Sequence, residues 1–164
     1  MQAAPHARID ASLHRAALWV AYRMLLVAWF VFRPRRRGVW IAVWHAGRVL
    51  AIRNSYRSWV GLPAGGVKRG ETPPAAAVRE LREEVGIAAR PEALRFACEL
   101  PSRYEFKRDR CAFYEIELAD PPVLQPDQRE VIWAGFLGVE EALRERLAPP
   151  LRAYLEARLA KRVG

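Results

Sequence analysis

The chain has 164 residues, more than half of them apolar, and a formal net charge of +9. That length and apolar content suit one domain with an ordinary core and exclude an intrinsically disordered chain. The charge points to anionic partners (nucleotides, RNA or acidic lipid), because the field acts on charge and not on identity.

Residues 1–11 carry little pattern and are expected to be loose. Residues 13–37 read LHRAALWVAYRMLLVAWFVFRPRRR, with Ser12 available as a helix cap. Between Ala16 and Phe32 the one charged residue is Arg23. A spanning helix needs ~20 apolar residues, and a central arginine costs ~2.5–3.5 kcal/mol on insertion. A secretory signal is a poor match, since the arginine cluster follows the apolar run where a small-residue cleavage site belongs. The remaining reading is a helix packed on the domain or on a partner subunit, or lying in a membrane interface with Trp19, Tyr22, Trp29 and Phe30 at the headgroups. Apolar residues face nearly every direction, more than one small domain can cover. Either a homodimer interface over residues 13–32 or peripheral membrane contact is expected, and the residues do not separate the two. In the membrane case Arg33, Arg35, Arg36 and Arg37 place the following domain in the cytoplasm, at the inner face. The boundary falls between a tail and hydrophobic helix over 1–37 and a domain over 38–164.

After Gly38 the pattern becomes that of strands. Residues 39–44 and 48–53 flank His45-Ala46-Gly47 and predict a hairpin. Residues 55–61 run into the tight loop Leu62-Pro63-Ala64-Gly65-Gly66. A helix follows: Thr72 can cap its first N–H groups, Pro73 fits its first turn, and Gly86 supplies the left-handed residue that ends it. Ala77, Val78, Leu81 and Val85 form its apolar stripe. Glu80, Glu83 and Glu84 share the opposite face within about one turn. Three like charges this close repel unless a cation sits among them, and all-oxygen ligands select a hard ion, Mg²⁺ or Mn²⁺ rather than Zn²⁺. Arg79 can reach Glu83 at i+4. A solvated Glu/Arg helix face is the commoner reading of such a run, but it leaves the preceding glycines unexplained. Loop carbonyls can add ligands, and loop N–H groups can meet phosphate oxygens.

Two further strands are predicted over 94–100 and 111–118, joined by a charged loop containing Tyr104, Lys107, Arg108 and Asp109. Pro121, Pro122 and Pro126 mark a second loop, and 131–137 reads as the last strand. Amphipathic helices over 140–147 and 151–162 finish the chain, with Pro149-Pro150 between them. Cys98 and Cys111 have no metal spacing and are expected as buried free thiols in a reducing compartment. His6, His14 and His45 are scattered and form no triad. Strands on either side of one helix, with helices at the end, predict an α/β fold with a mixed sheet between helical layers.

The stretch Gly65 to Ile87, GGVKRGETPPAAAVRELREEVGI, fits G-x5-E-x7-R-E-U-x-E-E-x-G-U, with U aliphatic. Gly65, Glu71, Arg79, Glu80, Leu81, Glu83, Glu84, Gly86 and Ile87 fill every specified position, a chance event on the order of 10⁻⁹. It resembles a complete Nudix box. The resemblance is strong over 39–88 and loose over 89–137, and the N-terminal helix lies outside it. It implies an α/β/α sandwich with a mixed central sheet, the box forming loop–helix–loop. The implied activity is divalent-metal-dependent hydrolysis, by water attack at phosphorus, of a nucleoside diphosphate linked to another group.

Carried over by position, Glu80, Glu83 and Glu84 would hold Mg²⁺ or Mn²⁺ with the carbonyl of Ala64, and Glu80 is also a candidate base. Glu71 and Arg79 would support them from behind. The resemblance also implies an acidic residue from a loop after the box; Glu130 is our choice, with Glu99, Glu105 and Asp109 as rivals. Arg53 and Arg57 could bind phosphates, and Tyr56 or Trp59 could stack on a base, although core packing is the simpler reading of Trp59. Ala64 stands where the family usually has glycine, which a backbone ligand tolerates. Trp59 precedes Leu62 by three residues instead of two, so stacking does not carry over directly. Pro101 and Tyr104 both fall where family members differ by substrate, so neither selects one. A non-catalytic nucleotide- or RNA-binding module is one alternative, with RNA the weaker partner. A membrane-associated diphosphatase acting on a lipid-linked diphosphate is the other.

Overall fold

Apolar residues fill both alternating sets along residues 39–44 and 49–52, the mark of strands covered on two faces. The structure, a computed structural model, describes residues 5–34 and 36–163, without the side chains of residues 5–11, Tyr104, Arg162 and Val163. Arg35 of the arginine cluster and the side chains of His6 and Tyr104 therefore lie outside the described residues. Strands β1 (Arg37–His45) and β2 (Arg48–Asn54) form the expected hairpin, with Trp44 opposite Val49. Ala46 and Gly47 turn it with φ of 48° and 73°, the left-handed pair whose twist matches the strands.

Beyond the hairpin come β3 (Val60–Gly61), β4 (Ala64–Gly66), helix α2 (Pro73–Val85), β5 (Arg95–Ser102), β6 (Asp109–Glu117) and β7 (Val131–Leu137). The sheet order is β3-β2-β1-β6-β5, with β4 also on β1 and β7 also on β2. The β1–β6 pair is parallel and the others are antiparallel, so the sheet is mixed. Val39, Ile41, Val43, Leu50 and Ile52 point to the face covered by Ala76, Ala77, Leu81 and Val85 of α2. Ala42, Trp44, Val49, Ala51 and Phe113 point to the other face. That face is covered by α3 (Val139–Arg144) and by Leu151, Tyr154 and Leu155 of α4 (Pro149–Val163).

Several boundaries differ from the sequence reading for identifiable reasons. Pro149 and Pro150 begin α4 instead of separating two helices, because proline fits a first helical turn. Helix α3 stops at Arg144, and Leu147 instead bridges to Val60. Within the stripe of α2, Val78 is only half-buried and Ala76 takes the fully buried place. Strands β3 and β4 are too short to show alternation. The N-terminal segment expected to be loose is helical from Pro5, since α1 (Pro5–Phe32) propagates back from its apolar stretch at little cost per residue.

One stripe of α1 faces the domain: Arg15, Leu18, Leu26 and Trp29 are half-buried, and Tyr22 is buried. The opposite side is bare, with Met24 at 69 %, Val27 at 66 % and Val31 at 64 % exposure. The Tyr22 hydroxyl donates to Glu105 Oε1 at 2.7 Å, Phe30 meets Phe106 edge-on at 5.2 Å, and Lys107 Nζ lies 4.2 Å from the Trp29 ring centre.

Candidate active site

Capping and burial fix the rotation of α2, and that rotation aims its acidic face. Thr72 Oγ1 accepts the Ala75 N–H at 3.4 Å, Pro73 occupies the first turn, and Gly86 closes the helix at φ 75°. The N–H groups of Gly86 and Ile87 return to the carbonyls of Arg82 and Leu81, both at 3.2 Å. With Ala77, Leu81 and Val85 locked in the core, Glu80 and Glu84 face the loop that becomes β4. Glu84 is only 6 % exposed, and its Oε2 accepts the Ala64 N–H at 3.0 Å. Glu80 lies against Gly65 so closely that a Cβ on that residue would fall 1.8 Å from Glu80 Oε1.

Arg79 is the hub of the box. Its Nε and Nη2 grip the two oxygens of Glu71 at 2.9 and 3.1 Å, and its Nη1 donates to Glu80 Oε1 at 2.6 Å and Glu83 Oε2 at 3.2 Å. Nη2 also donates to the Gly66 carbonyl at 3.1 Å, which ties helix to loop. Arg79 and the Lys68 N–H hold the Glu71 carboxyl down at about 2. Glu83 is exposed at the rim.

Glu130 comes to this cluster from the start of β7. Asp127 builds the turn, its Oδ1 accepting the N–H groups of Val131 at 2.8 Å and Glu130 at 3.0 Å. The Ser55 N–H donates to the Glu130 carbonyl at 2.8 Å, and the Tyr56 hydroxyl donates to its carboxylate. Burial pushes the Glu84 carboxyl well above its ordinary value, and the Glu130 charge pushes it further, against the pull of the Ala64 N–H. Glu80 is raised by burial and by Glu83 and Glu130, although Arg79 opposes them. Burial, and then the charge and hydrogen bond of Glu130, keep Tyr56 protonated far into the alkaline range, against the pull of Arg57.

The three rivals of Glu130 are engaged elsewhere. Glu99 pairs with Arg110 across the β5–β6 edge. Glu105 is held by Arg57 at 3.1 Å and Lys107 at 3.0 Å, and Asp109 by Lys107 at 3.4 Å. Arg57 also lies over the rings of Tyr56 and Tyr22, at 5.1 and 5.5 Å. Arg53 points to the α3 face of the sheet, pairing with Glu145 at 3.0 Å over the ring of Trp133. It is not brought to the glutamates. Trp59 packs against the α4-side core, as the simpler reading expects. Tyr56 and Asp127 are the positioning residues that sequence reasoning did not connect to Glu130. An Asp three residues ahead is a turn signal that could have marked it.

As the side chains stand, no three Asp, Glu, His or Cys among the described residues converge tightly enough to grip an ion. The donor set nevertheless fits a hard divalent cation. Glu84 is a buried carboxylate facing two others, with one N–H to offset its charge, an arrangement that a cation relieves.

Comparison with known proteins agrees with this fold. A family model described as NUDIX domain matches residues 34–157. A MutT protein from Methanosarcina mazei superposes with a TM-score of 0.69 at 19 % identity, covering 80 % of this chain and 97 % of that one. An Ap4A hydrolase from C. elegans, solved as a binary complex, gives 0.66 at 22 %, covering 79 % and 98 %. A MutT NUDIX hydrolase from Burkholderia pseudomallei gives 0.63 at 26 %, covering 74 % and 96 %. From the box, the mixed sheet that carries it and the match over residues 34–157, the chain belongs to the Nudix family.

Proposed function

We propose that this protein is a Nudix hydrolase that cleaves the diphosphate of a nucleoside diphosphate linked to another group. Glu80, Glu83, Glu84 and the Ala64 carbonyl would hold Mg²⁺ or Mn²⁺, which when bound offsets phosphate charge and acidifies water. The remaining work falls to the chain itself. Glu80 takes the proton as water oxygen bonds to phosphorus and the bridging oxygen leaves with the other phosphate. Arg79 and Glu71 orient Glu80 and Glu83, and Tyr56 orients Glu130, the further acidic residue of the site. The observation that carries the reading is the buried Glu84 carboxylate facing Glu80 and Glu130. A screen of diphosphate substrates with Mg²⁺, Mn²⁺ or EDTA tests it. Metal-dependent release of phosphate species is expected, and no release from any substrate overturns it.

The bare side of α1 favours a second reading, a membrane-associated diphosphatase acting on a lipid-linked diphosphate at the inner face of the membrane. Residues 12–32 are long and apolar enough to cross a bilayer, but the Tyr22–Glu105 bond keeps α1 on the domain, so it would lie in the interface. A second copy covering the same side would make a homodimer. Flotation with anionic liposomes supports the membrane reading; a concentration-dependent dimer in sedimentation, with no flotation, supports the other.

A further inference from the structure

The described residues enclose a cleft of about 430 Å³ between α1 and residues 55–59, beside the acidic cluster. We propose that α1 supplies one wall of the substrate site, and that this cleft binds the nucleoside end of the diphosphate substrate through Trp19 and Arg23. The proposal rests on the hydrolase reading for the scissile diphosphate, but its wall belongs to a helix outside the residues matched by the family model.

Placement comes first. Tyr56 lines the cleft and also donates its hydroxyl to Glu130, so cleft and carboxylates share a residue. A diphosphate held at the carboxylates extends past Tyr56 into the space under α1. The wall is fastened: the Tyr22 ring meets that of Tyr56 at a tilt of 48° with ring centres 5.1 Å apart, and its hydroxyl is hydrogen-bonded to Glu105.

Chemistry selects the ligand. Trp19 and Trp59 bring aromatic surface to the lining, and Arg23 and Arg146 bring positive charge. Neither Arg23 nor Arg146 has a carboxylate partner among the described residues. Arg23 lies 4.9 Å from the Trp19 ring centre, which holds its charge beside an aromatic surface. Ser58 adds a hydroxyl, while that of Ser55 donates to the Arg129 carbonyl at 2.8 Å. Aromatic surface with unneutralised guanidinium suits a planar base carrying phosphate. A hydrocarbon chain would strand those charges without a partner. The volume falls within the ~300–1,000 Å³ of small-molecule sites.

The test is binding of ADP, and of inorganic diphosphate, to the full chain in EDTA, measured by equilibrium dialysis. It is run beside metal-dependent turnover. Trp19→Ala is expected to weaken ADP about tenfold and leave inorganic diphosphate unchanged, within the range of one lost stacking contact. Arg23→Glu weakens both ligands and raises KM with kcat unchanged, while Arg48→Glu, an equal charge change at the hairpin end of β2, the end opposite residues 55–59, does neither. Circular dichroism confirms that the variants are folded. If wild type turns substrate over and both cleft variants keep wild-type ADP affinity and KM, the cleft assignment is overturned and the hydrolase reading stands. If nothing is turned over but ADP binding falls in both variants, the cleft assignment stands and the hydrolase reading goes. Absence of ADP binding by wild type overturns the assignment directly.

Discussion

Gly65 and Glu80 are in such close contact that no side chain fits between them: an added Cβ would lie 1.8 Å from one carboxylate oxygen and 2.8 Å from the side chain's Cγ. The glycine therefore acts through absence, letting the loop and helix close on each other. Gly65→Ala is expected to displace Glu80 and cut kcat by about 10–100-fold, the usual cost of disturbing a ligand's support. Because the strain falls on a side chain that can shift and not on backbone, the thermal midpoint should move little. Steady-state kinetics beside a melting curve reads both.

Arg79 carries the second expectation. Its fork holds Glu71, Glu80 and Glu83 at once, and a lysine cannot reproduce that geometry. Arg79→Lys should lose nearly as much activity as Arg79→Ala, about 10–100-fold, with a raised Mg²⁺ requirement. Recovery of full activity in the lysine variant contradicts the positioning role.

The core beneath the helix can be tested separately. Leu81 is fully buried among Val39, Ile41 and Ile52, so Leu81→Ala should lower stability by about 2–5 kcal/mol in urea unfolding. Glu84→Gln should change stability far less, which separates support of the fold from chemistry.

Docking of α1 should depend on pH at both ends. Burial would raise the Glu105 carboxyl, but Arg57 and Lys107 outweigh it and leave it lowered. A lowered carboxyl gives stability that is present above the unfolded value, about 4.3. That stability is lost as pH falls through the folded value. Burial, and then Glu105, push the Tyr22 hydroxyl up to about 12. Its contribution is complete below the unfolded value near ~10 and disappears as pH rises through the folded value. Trp fluorescence followed across pH should show α1 loosening in both windows, and Glu105→Gln should flatten the acid one.

How much of this was readable in the chain depends on how local each feature is. Thr72, Pro73 and Gly86 mark the ends of α2 through contacts within a few residues, and the spacing of Glu80, Glu83 and Glu84 follows from helix geometry alone. The hairpin at Ala46-Gly47 is equally local. The engagement of Glu130 by Tyr56 spans 74 positions, and no periodicity encodes it. The direction of Arg53 depends on which face of β2 meets α3, information held by the partner strands. The docking of α1 rests on Tyr22 meeting Glu105, 83 positions away. Its apolar surroundings are legible in sequence, but its place on the sheet is not.

The proposed activity depends on the buried carboxylate at the heart of the box. Turnover of a diphosphate substrate in Mg²⁺ by Glu84→Gln and Glu83→Gln, beside wild type and with folding checked by circular dichroism, tests it most directly. We expect wild-type turnover that EDTA abolishes, and no measurable turnover in either folded variant. Wild-type rates in both variants contradict the assignment of those glutamates and the hydrolase built on them.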